Sequence, residues 1–133
     1  MAHALGIDHI TLTVSDISRS EPFYTKLLDY LGLKKQFSEY GFAGWKNSTF
    51  HFYISEAEIP YKTEAFNRFR TGLNHLSFRA ETKEDVDELR EYVIKQKYPI
   101  LQEPKILKQF GYGVYYFAFA DPDGIKLEFS FPL

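Results

Sequence analysis

Three histidines and one glutamate stand out because each lies in a short segment that alternates polar and apolar residues. They are His9, His51, His75 and Glu128. Imidazole nitrogens and a carboxylate form a ligand set that suits a divalent Fe, Mn, Ni, Co or Zn ion and offers too few oxygens for Ca²⁺. A single histidine on a strand is more often a hydrogen-bonded structural residue. The metal hypothesis therefore depends on how these four residues are related.

An internal repeat relates them. The segment GIDHITL at residues 6–12 returns 66 residues later as GLNHLSF at residues 72–78. A match at a fixed offset is typical of a duplicated supersecondary unit. His9 and His75 are thus equivalent, and comparison of TFHF at residues 49–52 with KLEF at residues 126–129 matches His51 with Glu128. We expect the two pairs to converge on one metal ion.

Each half of the chain predicts the element order βαβββ. In the first half, Asp16 or Ser18 caps a helix with Pro22 in its first turn, and Gly32 ends that helix. In the second half, Thr82 or Lys83 opens the helix, and Pro99 follows it. Strands are predicted over residues 7–14, 33–40, 41–46 and 49–55, and again over 74–80, 100–103, 112–120 and 125–131. Residues 56–71 are polar and irregular and are interpreted as a connector.

Strand parity predicts which residues share a face, because side chains two apart point to the same side of a sheet. The predicted polar face carries the four metal-ligand candidates, the candidate catalytic residues Glu128 and Tyr53, and the candidate substrate-binding residues Thr11, Thr13, Arg79 and Lys126. The fold class predicted is α+β. Two repeated βαβββ modules, about residues 5–56 and 72–133 of a single domain 1–133, form an open, curved, largely antiparallel sheet cup with the helices on its outer face.

The composition excludes several functional classes. A net charge of -2 without a basic run argues against nucleic-acid binding. The absence of cysteine excludes disulfides, thiolate metal sites and cysteine nucleophiles. The sequence shows neither a leader pattern nor a long apolar stretch, so we expect no association with a membrane and a cytoplasmic location. An aromatic content of 18% suits a ligand cavity lined by rings.

The sequence resembles the vicinal oxygen chelate superfamily, which includes glyoxalase I, fosfomycin-resistance thiol transferases, extradiol dioxygenases and bleomycin-binding proteins. The similarity lies in DHITLTVSD at residues 8–16, FYTKLL at 23–28, NHLSF at 74–78 and DPDGIKLE at 121–128. The resemblance implies a divalent metal held at His9, His75 and Glu128, with a fourth ligand, where glyoxalase I has Glu, falling on His51. It also implies that Glu128 is the base, and it favours a homodimer.

The function expected from this resemblance is that of a metal-dependent lyase or isomerase acting on a small oxygen-chelating metabolite. By this resemblance, Thr13 stands where bacterial glyoxalase I has an Arg used for glutathione, and Ser55 stands where it has an Asn. A glutathione hemithioacetal is therefore not the expected substrate. Alternatives are an Fe(II) dioxygenase, a fosfomycin-resistance-type thiol transferase, and a non-enzymatic binder of a drug or metabolite. The identity of the metal, the role of His51 and the pairing of modules within or between chains stay open.

Overall fold

The computed structural model describes all 133 residues. The strands are β1 (His9–Val14), β2 (Lys34–Glu39), β3 (Phe42–Lys46), β4 (His51–Glu56), β5 (Leu76–Arg79), β6 (Ile100–Gln109), β7 (Tyr112–Ala120) and β8 (Lys126–Pro132). The helices are α1 (Ile17–Tyr30) and α2 (Lys83–Gln96). The chain divides into two compact units, Met1–Ala65 and Phe66–Leu133, and each unit has the order βαβββ. The predicted α+β class and the repeated module are confirmed.

Each unit contains one open, mixed sheet of four strands. The strand orders are β1-β4-β3-β2 in the first unit and β5-β8-β7-β6 in the second. Strands β1 and β4 are parallel, as are β5 and β8, and the other pairings in both sheets are antiparallel. The parallel pairs of the two sheets carry His9, His51 and Glu128, and His75 immediately precedes β5.

Helix α1 begins after Asp16, whose Oδ1 accepts hydrogen bonds from the Ser18 backbone N–H at 3.0 Å and the Ser18 hydroxyl at 2.6 Å. The prediction that Pro22 lies in the first turn was wrong. The helix starts at Ile17, so Pro22 falls in the second turn, where it cannot donate to the Ser18 carbonyl. The chain then leaves the helix through Gly32 at φ +88°.

Both helices cover the apolar face of their own sheet. The buried Tyr24 ring of α1 lies 5.2 Å from the Phe52 ring of β4. Helix α2 begins with a capping box in which Thr82 and Asp85 satisfy each other's backbone N–H. A hydrogen bond of 2.6 Å from the Tyr115 hydroxyl to the Asp87 carboxylate attaches β7 to α2. This packing leaves the other face of each sheet for the polar residues.

Strand β6 is longer than predicted. It continues past Pro104 to Gln109, because it lies at the edge of the sheet, where a missing N–H is tolerated. Register shifts on both sides of Gln102 accommodate the irregularity. In the predicted connector, residues Ile59–Tyr61 form a short 3-10 helix. Neither α-helix is long and apolar enough to span a membrane.

Candidate functional site

The polar faces predicted from strand parity are confirmed within each unit. On β1, Thr11 and Thr13 are exposed, whereas Leu12 and Val14 are buried. On β5, Arg79 is exposed and Phe78 is buried. The residues predicted to do chemistry therefore lie on the faces that the helices do not cover.

His9 lies at the start of β1 with its ring oriented by the preceding residue. Its Nδ1 lies 2.8 Å from Oδ2 of Asp8, and this hydrogen bond holds the pKa of the Asp8 carboxyl below its usual value. The Asp8 contact occupies one ring nitrogen and leaves Nε2 for another partner. Metal-binding histidines are commonly oriented in this way, with the second nitrogen hydrogen-bonded to an oxygen.

His75 repeats this arrangement in the second unit. Its Nδ1 lies 2.6 Å from Oδ1 of Asn74, the residue equivalent to Asp8. The Asn74 amide in turn donates to the Arg68 carbonyl at 3.2 Å. With Nδ1 engaged, the His75 Nε2 is directed to Glu128, whose Oε2 lies 3.5 Å away. The repeat has thus preserved the orientation of the histidine as well as its identity.

Glu128 is a buried carboxylate, only 8% exposed. Besides His75, its Oε2 has Lys126 as a neighbour, with Nζ at a distance of 3.2 Å. A buried carboxylate normally requires a charged or hydrogen-bonded partner, and here it has two. Glu128, His75 and Lys126 therefore form one connected polar group in the second unit.

The strand registers correct one equivalence predicted from the sequence. In the first unit Thr11 pairs with Tyr53, whereas in the second unit Ser77, the equivalent of Thr11, pairs with Glu128. The residue equivalent to Glu128 is therefore Tyr53. The match of His51 with Glu128 was wrong by two residues.

Tyr53 occupies its position together with His51. Its hydroxyl lies 3.1 Å from Nδ1 of His51, and the rings of His9 and Tyr53 are 5.5 Å apart. The first unit thus places a phenol, supported by an imidazole, where the second unit has a carboxylate. A phenol hydroxyl can donate or accept a proton, and a neighbouring imidazole can exchange that proton.

An aromatic platform next to Tyr53 was not predicted from the sequence. It consists of Phe37, Phe42 and Tyr53, with ring centroids 5.0 to 5.9 Å apart. The rings of Phe37 and Tyr53 lie over Gly44, where a Cβ would approach them to 2.6 and 2.7 Å. A glycine inside a strand is the available signal for such a close approach. The platform provides apolar surface beside the predicted site residues.

The predicted substrate-binding residues are distributed over three strands. Thr11 and Thr13 lie on β1, Arg79 on β5 and Lys126 on β8. Thr11, Thr13 and Arg79 are exposed and lie on the predicted face. The Lys126 side chain is 15% exposed and forms an ion pair with Glu128. The structure brings Lys126 together with Glu128 and His75. Substrate contact by any of these residues stays a prediction.

In the second unit, one pair of donor groups is spaced for a divalent metal ion. Within either unit, no three histidine or acidic side chains gather at a distance suited to one ion. The second unit supplies an imidazole and a carboxylate whose donor atoms are 3.5 Å apart, which is compatible with both binding one ion at about 2.1 Å each. The first unit supplies His9 with an oriented ring, and His51 stays a predicted ligand. Imidazole and carboxylate groups supply the nitrogen and oxygen donors preferred by Fe, Mn, Ni, Co and Zn.

Comparisons with known proteins identify a family, a relative and similar folds. Residues 6–129 match the family model described as the glyoxalase/bleomycin resistance protein/dioxygenase superfamily. The Bacillus subtilis protein YqjT is 36% identical over 124 residues, which cover 93% of this chain and 97% of YqjT. A glyoxylase/bleomycin resistance protein/dioxygenase domain from Frankia has a TM-score of 0.82 at 29% identity, covering 98% of this chain and 100% of that chain. A lactoylglutathione lyase from Agrobacterium tumefaciens shares the fold, with a TM-score of 0.70 at 20% identity, covering 96% of this chain and 94% of that chain.

Proposed function

The chain belongs to the glyoxalase/bleomycin resistance protein/dioxygenase superfamily, and from this premise we propose that it is a metal-dependent enzyme of the lyase or isomerase type. Its substrate is a small metabolite with neighbouring oxygens that can chelate a divalent ion. The observation that carries this proposal is the His75–Glu128 pair. An oriented imidazole and a buried carboxylate face each other there across 3.5 Å.

We assign the metal to His9, His75 and Glu128, one histidine from each module and the carboxylate of the second. The repeat supports this assignment, since Asp8 and Asn74 orient the two histidines in the same way. His51 is a less direct choice, because its Nδ1 is engaged by Tyr53. When bound, the ion would stabilise negative charge that develops on the substrate oxygens.

The protein's own groups supply the proton transfers. In this proposal the Glu128 carboxylate accepts a proton from the substrate carbon beside the chelating oxygens. The Tyr53 hydroxyl, which can exchange protons with His51 Nδ1, is the proposed acid that returns a proton to the substrate. Positioned acids and bases of this kind contribute about 10²- to 10⁴-fold each. A carboxylate that acts as base and a phenol that acts as acid suit an isomerisation or an elimination.

The predicted ligand class and oligomeric state are also part of this proposal. Members of this family bind small molecules and are often oligomers, so we propose a small-molecule substrate and a homodimer. Either one chain or two partner chains could then supply the two modules of a site. Size-exclusion chromatography with light scattering tests the dimer.

The deciding experiment measures metal in the protein and in two histidine variants. We expect purified protein to hold about one divalent ion per chain by elemental analysis. His75→Ala should lose most of this metal, while His3→Ala, a histidine outside the proposed set, should keep it. Protein without stoichiometric metal, or metal retained in His75→Ala, would refute the metal assignment.

A second experiment separates chemistry from binding. Hydrogen–deuterium exchange at the carbon of small hydroxycarbonyl compounds can be followed by NMR. We expect exchange to fall by about 10²-fold or more in Glu128→Gln and in Tyr53→Phe while the proteins stay folded. Exchange that is unchanged in both variants would contradict the roles given to these residues.

Non-enzymatic binding of a drug or metabolite is the second candidate, favoured by the aromatic platform of Phe37, Phe42 and Tyr53. Rings 5 to 6 Å apart can hold a flat apolar ligand without a metal. Thermal stabilisation by such a ligand that persists in excess chelator, in protein without exchange activity, would favour this function over catalysis.

A further inference from the structure

A cavity in the second unit adjoins the Glu128 group. Its volume is about 410 Å³, and Lys126 forms part of its wall. This volume lies in the range of small-molecule sites, about 300 to 1,000 Å³. The cavity is lined by residues from the start of the unit, from β6 and β7, and from the turn before β8. Lys126 connects the cavity wall with the Glu128 carboxylate.

The charged residues that line this cavity are both cations, Arg68 and Lys126. Lys126 is engaged with Glu128, whereas Arg68 has an aromatic ring as its neighbour. The Arg68 guanidinium lies 4.4 Å from the centre of the Phe69 ring, and no carboxylate forms an ion pair with it. Gln102 and Tyr116 add uncharged polar groups to the wall. The cavity thus carries positive charge that the protein itself does not fully neutralise.

Arg68 is tied to the proposed catalytic group through the backbone. Its carbonyl accepts a hydrogen bond from Asn74, and the other end of the Asn74 amide binds His75 Nδ1. The turn that carries Arg68 is closed by hydrogen bonds from the backbone N–H groups of Phe69 and Arg70 to Asn67. The backbone that carries Arg68 is therefore linked to His75 through Asn74.

We infer that the substrate carries an anionic group, a carboxylate or phosphate, which binds Arg68 and Lys126 in this cavity. Guanidinium and ammonium groups that face the same space without a second carboxylate are suited to an oxyanion. In treating the anion as part of the substrate, this inference rests on the proposed function. The anion site itself requires no metal, so the two can fail separately.

The experiment is titration calorimetry on the full chain with metal removed by chelator. Inorganic phosphate and malonate are the two probes, and they distinguish a phosphoryl from a carboxylate site. We expect saturable binding of one probe or both, weakened about tenfold or more in Arg68→Gln, as expected for loss of a charge-assisted hydrogen bond. Arg70→Gln removes a neighbouring exposed arginine that does not line the cavity and should leave binding unchanged.

Further results decide the inference. Absence of saturable binding of both probes overturns it, as does an equal loss in Arg68→Gln and Arg70→Gln. Lys126→Gln should also weaken binding, and Arg68→Lys should recover part of it. The metal content of Arg68→Gln should match that of the unaltered protein. If the unaltered protein holds no metal but binds anions through Arg68, the anion site stands and the proposed function fails.

Discussion

Replacing Gly44 by alanine should displace the aromatic platform and lower stability. A Cβ at this position would lie 2.6 Å from Cε1 of Phe37 and 2.7 and 2.8 Å from Cδ1 and Cε1 of Tyr53. These contacts are closer than the van der Waals distance, so at least one ring must move. The Phe37 ring is held against Phe42 at 5.0 Å, and Tyr53 is held by its hydrogen bond to His51.

The expected cost follows from two opposing effects. Forcing extra carbon into a packed group costs about 1–3 kcal/mol. Replacing glycine in a strand recovers about 0.5–1 kcal/mol by restricting the unfolded chain. We therefore expect Gly44→Ala to lower the free energy of unfolding by about 1–2 kcal/mol, because the ring displacement is the larger effect.

Gly113→Ala is the matched control, since it too lies in a strand but its nearest contacts would be ordinary ones at 3.5 Å. That variant should be neutral or slightly more stable. Urea unfolding followed by circular dichroism measures both variants, and the NMR signal of the His51 ring reports whether Tyr53 has moved. A Gly44→Ala protein as stable as Gly113→Ala, with an unchanged His51 signal, would refute the account of the platform.

Three other predictions address single interactions. The hydrogen bond to Asp87 raises the pKa of Tyr115 to about 12. The contribution of this bond to the free energy of unfolding should be complete below pH 10 and disappear as the pH rises through about 12. Unfolding of Tyr115→Phe and of the unaltered protein across that pH range measures it. Asn74→Ala and Asp8→Ala should each lower metal affinity about 10- to 100-fold by releasing a histidine ring, as measured by competition with a chelator. Thr82→Ala should lower the free energy of unfolding by about 1 kcal/mol through loss of the α2 cap.

Each of these has a control within the chain. Tyr112→Phe alters an exposed tyrosine on the same strand, and a pH dependence shared by both tyrosine variants would contradict the assignment to Tyr115. Asp8→Asn keeps an oxygen acceptor and should retain most of the metal affinity. Thr63→Ala lies in the connector, and an equal effect there would argue against the cap.

The fold could be predicted from the sequence because its strongest signals are local. Alternation along β1 and β5 predicted the buried face of each strand. Helical spacing predicted both helices, with Asp16 or Ser18 at the start of the first and Thr82 or Lys83 at the start of the second; the structure has Asp16 and Thr82 as the caps. Glycine and histidine recur 66 residues apart, which predicted that the βαβββ module occurs twice. These patterns depend on neighbours a few residues away, which the sequence shows directly.

The equivalence of Tyr53 and Glu128 could not be predicted in the same way. Strand parity repeats every two residues, so a shift of two residues leaves every side chain on its expected face. His51 and Tyr53 satisfy the alternation equally well. Only the hydrogen-bonding register against β1 distinguishes them, and the register depends on contacts between distant segments. The cavity at Arg68 was missed for a similar reason, because the connector showed only polar composition.

The two modules differ in the chemistry of the residues at equivalent positions. At equivalent register positions, Tyr53 is surrounded by Phe37, Phe42 and a histidine, whereas Glu128 is bordered by Lys126 and His75 near the Arg68 cavity. An aromatic platform binds apolar surface, and paired cations bind an anion; neither substitutes for the other. The first unit therefore presents a surface suited to an apolar group, and the second unit presents one suited to an anion.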